Sequence, residues 1–164
     1  MSASPLVTVL LPVWNGASLP LTAEGEEPLR VAIRSLARQE AAPDAPVPGF
    51  EVLAVDDGST DGTAALLDAL AAEYPCLRVL HRPHEGLPGA LNAGLEAARG
   101  ALIARMDADD VCHPQRLALQ AAWMAEHPET GLLATRVHFG GDRETARGFA
   151  HFVDWQNGLL DHEA

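Results

Sequence analysis

An α/β fold of three layers, with helices on both faces of a mainly parallel central sheet, is what this sequence predicts. Short apolar runs rich in branched residues alternate with segments of helical period from residue 6 to about 137, the pattern of strands joined by helical crossovers. Abundant Ala, Val and Leu with only 5% aromatic residues suit helices laid on a sheet of small branched side chains rather than a sandwich or a repeat array. A length of 164 residues at 48% hydrophobic content supports one substantial core, close to the size of one average domain.

The first strand is Leu6 to Val13, a near-continuous apolar run that reads as buried on both faces and stops at Trp14-Asn15-Gly16. A long connection follows over residues 16 to 27. The first helix covers Pro28 to Arg38, where Leu29, Ile33, Leu36 and Ala37 recur at helical spacing and Glu26 and Glu27 sit near the positive end of the dipole. After a Pro-rich loop over 40 to 49, Phe50 to Val55 forms the second strand, ending at Asp56-Asp57-Gly58. Thr60 or Asp61 then caps a helix running to about Tyr74. Leu77 to Leu80 is a short third strand, His81 to Gly86 a loop, and Leu87 to Ala98 a helix ended by Gly100. Ala101 to Met106 is the fourth strand and stops at Asp107-Ala108-Asp109-Asp110, with a helix opening at Pro114, a residue suited to a first helical position. Gly131 to Val137 is read as a fifth strand and Phe149 to Leu160 as a last helix.

The formal charge is −12, and the acids are spread along the chain. Such a field repels a phosphate backbone, so nucleic acid and anionic membrane are poor partners. An acidic pocket joined to an anionic substrate by a cation fits the same balance. Cys76 and Cys112 have no companion at a finger-like spacing, which argues against zinc and against a disulfide framework and for a reducing, cytoplasmic setting. No run reaches the roughly 18 apolar residues of a membrane span, and no export signal is visible.

Chemistry gathers at strand ends. In open parallel sheets ligands bind beyond the carboxyl ends of the strands, and that edge collects Trp14-Asn15, Asp56-Asp57, the loop after Leu80 and Asp107 to Asp110. Adjacent carboxylates there repel one another unless something neutralises them, so they form either a solvated rim or a ligand site. Asp107 and Asp109 project from one side of an extended segment and can share a hard cation, Mg2+ or Mn2+, with positions left open for phosphate oxygens and water. The competing reading is that Asp109, Asp110 or His113 caps the helix near Pro114. His81, Arg82 and His84 are loop residues within reach of a diphosphate.

VTVLLPVWNG, VLAVDDGSTDGT, GLPGALNAGLEAARGALIARMDADD and HPQRL occur in that order and at fitting separations. In these motifs the chain resembles family 2 glycosyltransferases, inverting enzymes of the Rossmann-like GT-A fold that use nucleotide sugars. The resemblance covers about residues 6 to 137. It implies that Pro12, Val13 and Asn15 end the first strand beside the nucleoside and that Asp57, with Asp56 close by, accepts hydrogen bonds from the base. Gly86 and Asn92 belong to the segment that approaches the nucleotide, although Asn92-Ala93-Gly94 also serves helix–sheet packing. Asp107 and Ala108 serve the ribose and diphosphate, and Asp107, Asp109 and Asp110 the metal. An ionised acceptor suits a base N–H, which favours a uridine donor, with a guanine edge also compatible.

The chain departs from the family in its long 16 to 27 connection. It is also short: the sequence reads as a single nucleotide-sugar-binding domain over 1–164, without the part that supplies the acceptor surface and an acidic general base. No general base is identified, since Asp154 reads as a surface residue of an amphipathic helix and Trp155 as packing. The expected reaction moves sugar from a nucleotide sugar, UDP-sugar favoured, to a hydroxyl of an unknown glycan, lipid or small-molecule acceptor, with inversion and metal assistance. The alternative is a truncated or non-catalytic module that binds nucleotide and metal only. A phosphoacceptor receiver expects acids after the first and third strands, not the second and fourth, and a dinucleotide-binding fold needs a glycine fingerprint that Pro12-Val13-Trp14-Asn15 lacks. Oligomeric state is not legible.

Overall fold

Two strands buried along nearly their whole length open the fold. The structure, a computed structural model, describes residues 6–159. β1 (Val7–Val13) is buried at all seven positions, as a strand covered on both faces must be, and β2 (Phe50–Asp57) is buried at every position after Phe50. With β3 (Leu77–Arg82) and β4 (Leu102–Arg105) they form one sheet in the order β3-β2-β1-β4, every pair parallel. The chain steps outward from β1 to β3 and then returns to the far side of β1. The order of the strands therefore reverses between β1 and β4, a switch point of the kind that opens a crevice at the carboxyl edge.

Alternate residues feed two cores, giving the three layers. Val9, Leu11, Val13, Val52 and Ala54 pack with Leu29, Ile33 and Leu36 of α1 (Pro28–Ala37), Leu67 and Leu70 of α2 (Thr63–Glu73) and Leu117 of α4 (Arg116–Glu126). Leu10, Leu53 and Val55 face the other way, onto Ala90 of α3 (Gly86–Ala97). There the helix comes so close that a Cβ on Gly94 would lie 2.1 Å from Leu10 Cδ1. Gly94 is small for helix–sheet packing, one of the two readings its motif allowed.

The amino edge of the same face holds a buried polar cluster that apolar periodicity gave no reason to expect. Thr8 Oγ1 donates to Glu51 Oε1 at 2.8 Å and accepts the Gly100 N–H at 2.8 Å. Glu51 also accepts from Arg78 Nε at 3.1 Å and from the Arg99 N–H at 3.0 Å. Burial alone would raise the Glu51 carboxyl, but the bonds from Arg78, Thr8 and Arg99 outweigh it and hold the group below its ordinary value.

The long 16–27 connection is tied down at both ends. Its 3-10 turn, Gly16–Ser18, gives the Ser18 N–H and hydroxyl to Asp61 Oδ2 at 2.9 and 2.8 Å. Glu26 grips Arg34 of α1 with both oxygens at 2.7 and 2.6 Å. Asp61 also accepts the Thr63 N–H at 2.9 Å, so it supports the start of α2 as its sequence position suggested.

Several boundaries differ from expectation. β2 and β3 extend through Asp56-Asp57 and His81-Arg82, which pair with each other across the sheet, so these residues are strand ends rather than loop. Helix α4 starts two residues after Pro114, because the Gln115 and Arg116 N–H groups are taken by His113 Nδ1 at 3.2 Å and its carbonyl at 3.0 Å. Residues 131–137 form no strand. Leu132 is 86% exposed, and both backbone groups of Val137 are satisfied by the side-chain amide of Asn157, at 2.8 and 2.7 Å, in place of a neighbouring strand. The last helix is α5 (Arg147–Gln156), and Leu160, its expected end, lies outside the described residues.

The chain divides into two compact units, one ending at His127 and one beginning at Pro128. The second contains α5, whose Phe149, Phe152 and Trp155 form a row of tilted aromatic contacts with centroids 6.3 and 5.8 Å apart. No helix of the described residues is long and apolar enough to cross a membrane.

Candidate functional site

Parallel register brings the strand ends to one level. Val13 pairs with Asp56, and Asp56 with His81, while β4 reaches the same edge through Leu10 opposite Arg105. Pro12 and Val13 are buried here, so their side chains belong to the core and only the backbone can face a ligand. Trp14 then turns out into solvent, 58% exposed.

Asn15 follows in the left-handed region, at φ 51°, a conformation its short polar side chain tolerates. It clamps the neighbouring loop: its N–H donates to Ser59 Oγ and its Oδ1 accepts the Thr60 N–H, each at 2.9 Å. The predicted role beside the nucleoside is thus accompanied by a structural one.

Asp56 and Asp57 are both 3% exposed, yet they point into different surroundings. Asp56 accepts the Ser59 N–H at 3.1 Å and faces His81 Nδ1 at 2.9 Å, while His81 Nε2 reaches Asp68 Oδ1 at 3.0 Å. Burial would raise the Asp56 carboxyl, but Ser59 and His81 together hold it below its usual range. The bond to Asp56, then that to Asp68, raises His81 above its ordinary value. Asp56 is therefore engaged on the sheet side and supports the edge.

Asp57 is aimed the other way. Its Oδ1 accepts the Glu85 N–H at 2.8 Å and its Oδ2 the Gly86 N–H at 2.9 Å, at the positive end of α3 where a carboxylate is favoured. His84 Nδ1 stands 2.8 Å from Asp57 Oδ2, and its ring stacks on Trp14 with centroids 5.0 Å apart. Gly86 adopts φ 80°, a conformation glycine reaches without strain. A carboxylate has about four acceptor positions, so Asp57 retains capacity for a further donor beside the exposed indole. From the sequence Trp14 ends the first strand and joins the residues gathered at this edge, but that its indole meets His84 is set only by the fold.

The third part of the edge follows β4. The Met106 N–H bonds the Leu10 carbonyl at 3.2 Å, and a turn then closes with the Asp110 N–H on the Asp107 carbonyl at 3.3 Å. Ala108 packs on the core while Asp109 and Asp110 are exposed. Arg105 Nη2 is bound to Asp107 Oδ1 at 2.5 Å. Although Asp110 is exposed as a residue, desolvation of its carboxyl and then the charges of Asp107 and Asp109 raise it above its ordinary value. Among the described residues no three acidic, His or Cys side chains are arranged as a ready metal cage. The donors are nonetheless hard oxygens in mutual repulsion, which fits a cation that completes its shell with phosphate oxygens and water.

The remaining candidates have contacts of their own. Asn92 is exposed on α3, six residues or about 9 Å along the helix from Gly86. Arg82 leans toward Glu85 at 3.6 Å. In the second unit Asp154 is paired with Arg143, and Trp155 belongs to the aromatic row of α5.

Comparison with known proteins bears on this arrangement. The family profile described as glycosyl transferase family 2 matches residues 8–160. The amylovoran biosynthesis glycosyltransferase AmsE of Erwinia amylovora is 32% identical over 133 residues, covering 80% of this chain and 45% of that protein. The chondroitin synthase of Pasteurella multocida is 29% identical over 115 residues, which are 70% of this chain and 10% of the other. Among solved structures, residues 1–349 of S. aureus TarS in complex with UDP superpose with a TM-score of 0.58 and 27% identity, covering 74% of this chain and 32% of that one. The mannosyltransferase PcManGT of Pyrobaculum calidifontis, in complex with GDP-Man and Mn2+, gives 0.60 and 27%, covering 76% and 33%. The chain spans less than half the length of each of these relatives.

Proposed function

The chain belongs to glycosyl transferase family 2, and from that premise we propose that its first unit is the donor-binding domain of a glycosyltransferase that moves sugar from a nucleotide sugar to an acceptor hydroxyl with inversion. The observation that carries the reading is the buried Asp57 carboxylate and the exposed indole of Trp14, both met by His84, at the carboxyl edge of a parallel sheet. An aromatic face holds a base by stacking, and an ionised acceptor beside it selects a ring N–H. The uracil N3–H and the guanine N1–H both meet that requirement, and a UDP-sugar is favoured. This agrees with the UDP and GDP-Man bound by two structural relatives.

Within the reading, Asp57 accepts from the base, with Asp56, Pro12, Val13 and Asn15 holding the edge around it. Gly86 brings the start of α3 close to the nucleotide, and Asn92 lies further along the same helix. Asp107 and Ala108 adjoin the ribose and diphosphate. Asp107, Asp109 and Asp110 would hold Mg2+ or Mn2+. Such an ion, when bound, would neutralise the charge that gathers on the departing diphosphate. The carboxylates by themselves repel that diphosphate, so they contribute orientation only with the cation present. Residues beyond the matched portion of the longer relatives are the natural source of the acceptor surface and the general base. Free Cys76 and Cys112 are consistent with a cytoplasmic setting.

A second reading is a module that binds nucleotide and cation without transfer. Calorimetric titration with UDP and GDP, with and without Mn2+, followed by a nucleotide-release assay with UDP-sugars, separates the two. Cation-dependent binding with turnover supports the transferase, binding without turnover supports the module, and the absence of binding refutes both.

A further inference from the structure

We propose that His84 is a positioning residue of the donor site, one whose imidazole stands where the nucleobase will stand and yields that place on binding. This rests on the reading of Trp14 and Asp57 as the base-binding pair and goes beyond it. The imidazole lies over the indole with centroids 5.0 Å apart and planes 26° from parallel, within the offset-stacked range of aromatic pairs. Its Nδ1 is at the same time in hydrogen-bond contact with the Asp57 carbonyl at 3.0 Å and 2.8 Å from Asp57 Oδ2. A flat ring on Trp14 with a nitrogen beside the Asp57 carboxylate occupies the place of the two contacts that a uracil or guanine would make.

The backbone carrying this side chain is held by its neighbours, while the side chain is held by contacts at the site itself. Gly58, at φ 68°, lets the two segments touch: a Cβ there would lie 2.6 Å from the His84 nitrogen. The next two N–H groups are bound to Asp57. The His84 side chain itself is 52% exposed, so rotation about χ1 carries the ring into water without disturbing Glu85 or Gly86. The cost of displacing it belongs to the protein before any nucleotide arrives and is therefore the same for every nucleotide.

The test is calorimetric titration of the wild-type chain and His84→Ala with UDP and with GDP in Mg2+, together with the proton NMR signal of the His84 ring, assigned by its absence from the variant. His84→Ala is expected to bind both nucleotides roughly fivefold more tightly and by the same factor, the scale of one exposed contact. Saturating UDP is expected to remove the ring-current shift that Trp14 imposes on the His84 signal. Weaker or unchanged binding by the variant, a change that differs between UDP and GDP, or an unmoved His84 signal in UDP-saturated protein overturns the proposal alone. Failure of both proteins to bind either nucleotide overturns the base-binding reading of Trp14 and Asp57, and this proposal with it.

Discussion

Replacing Asp57 with alanine tests whether one carboxylate serves both fold and ligand. The substitution removes two acceptor bonds, from the Glu85 N–H at 2.8 Å and the Gly86 N–H at 2.9 Å, and leaves both donors at the start of α3 without their acceptor. Hydrogen bonds to a charged group are worth about 1.5–3 kcal/mol each, whereas measured losses of a helix cap are about 0.5–2 kcal/mol. Water entering the vacated space recovers part of the loss, so the expected destabilisation is about 2–4 kcal/mol. Asp57→Asn keeps one acceptor oxygen and should cost about half as much. For a chain of this size that is a fall in Tm of about 5–12 °C for the alanine variant. Urea unfolding followed by circular dichroism, at constant m value, measures it. A loss below about 0.5 kcal/mol, the range of an ordinary surface substitution, would refute the dual role. Under conditions where the variant remains folded, UDP binding should weaken more than ADP binding, and equal weakening would argue against base reading.

Other consequences follow from the same geometry. Asp109→Ala should remove the Mn2+ dependence of nucleotide binding while changing stability by less than about 0.5 kcal/mol, since the residue is exposed; calorimetry with and without Mn2+ decides. Glu51→Ala leaves Arg78, the Arg99 N–H and the Thr8 hydroxyl without their shared acceptor, and should cost about 2–4 kcal/mol in urea unfolding with nucleotide affinity unchanged. His81 is raised above its ordinary value in the fold by Asp56 and Asp68, so its stabilising contribution is complete below the ordinary value and is lost as pH climbs through the raised one. The destabilisation caused by His81→Gln should therefore shrink as pH rises above the ordinary imidazole value of about 6.5, and a cost that does not vary with pH would remove the charged imidazole from the account.

The sheet was readable because β1 and β2 are buried on both faces, and predominantly apolar runs rich in branched residues meet that requirement. Helix α1 was readable because Leu29, Ile33 and Leu36 repeat with helical period. Where local pattern competes with tertiary partners, reading stopped. GLLATRV has the composition of a strand, but Asn157, twenty residues on, takes the backbone groups of Val137 that a strand would give a neighbour. Pro114 suits a helix start, but His113 moves that start to Arg116.

The site divides in the same way. Its acids were visible as strand-end motifs, since topology alone brings such ends to one edge. Their partners were not. Nothing local assigns Asp56 to His81 and Asp57 to α3, because those contacts span 25 to 29 residues and depend on the register of β2 with β3. Trp14 becomes informative only when His84 is found against it, and Glu51 only when its alternation places it beside Thr8 inside the core.

Crystals of the chain soaked with UDP and Mn2+ test the central claim most directly. The account predicts density for the uracil on the exposed face of Trp14 with its N3–H on Asp57, and for the cation between the diphosphate and the carboxylates of Asp107 and Asp109. A nucleotide bound away from this sheet edge, or a diphosphate bound there with no cation against those carboxylates, would contradict it.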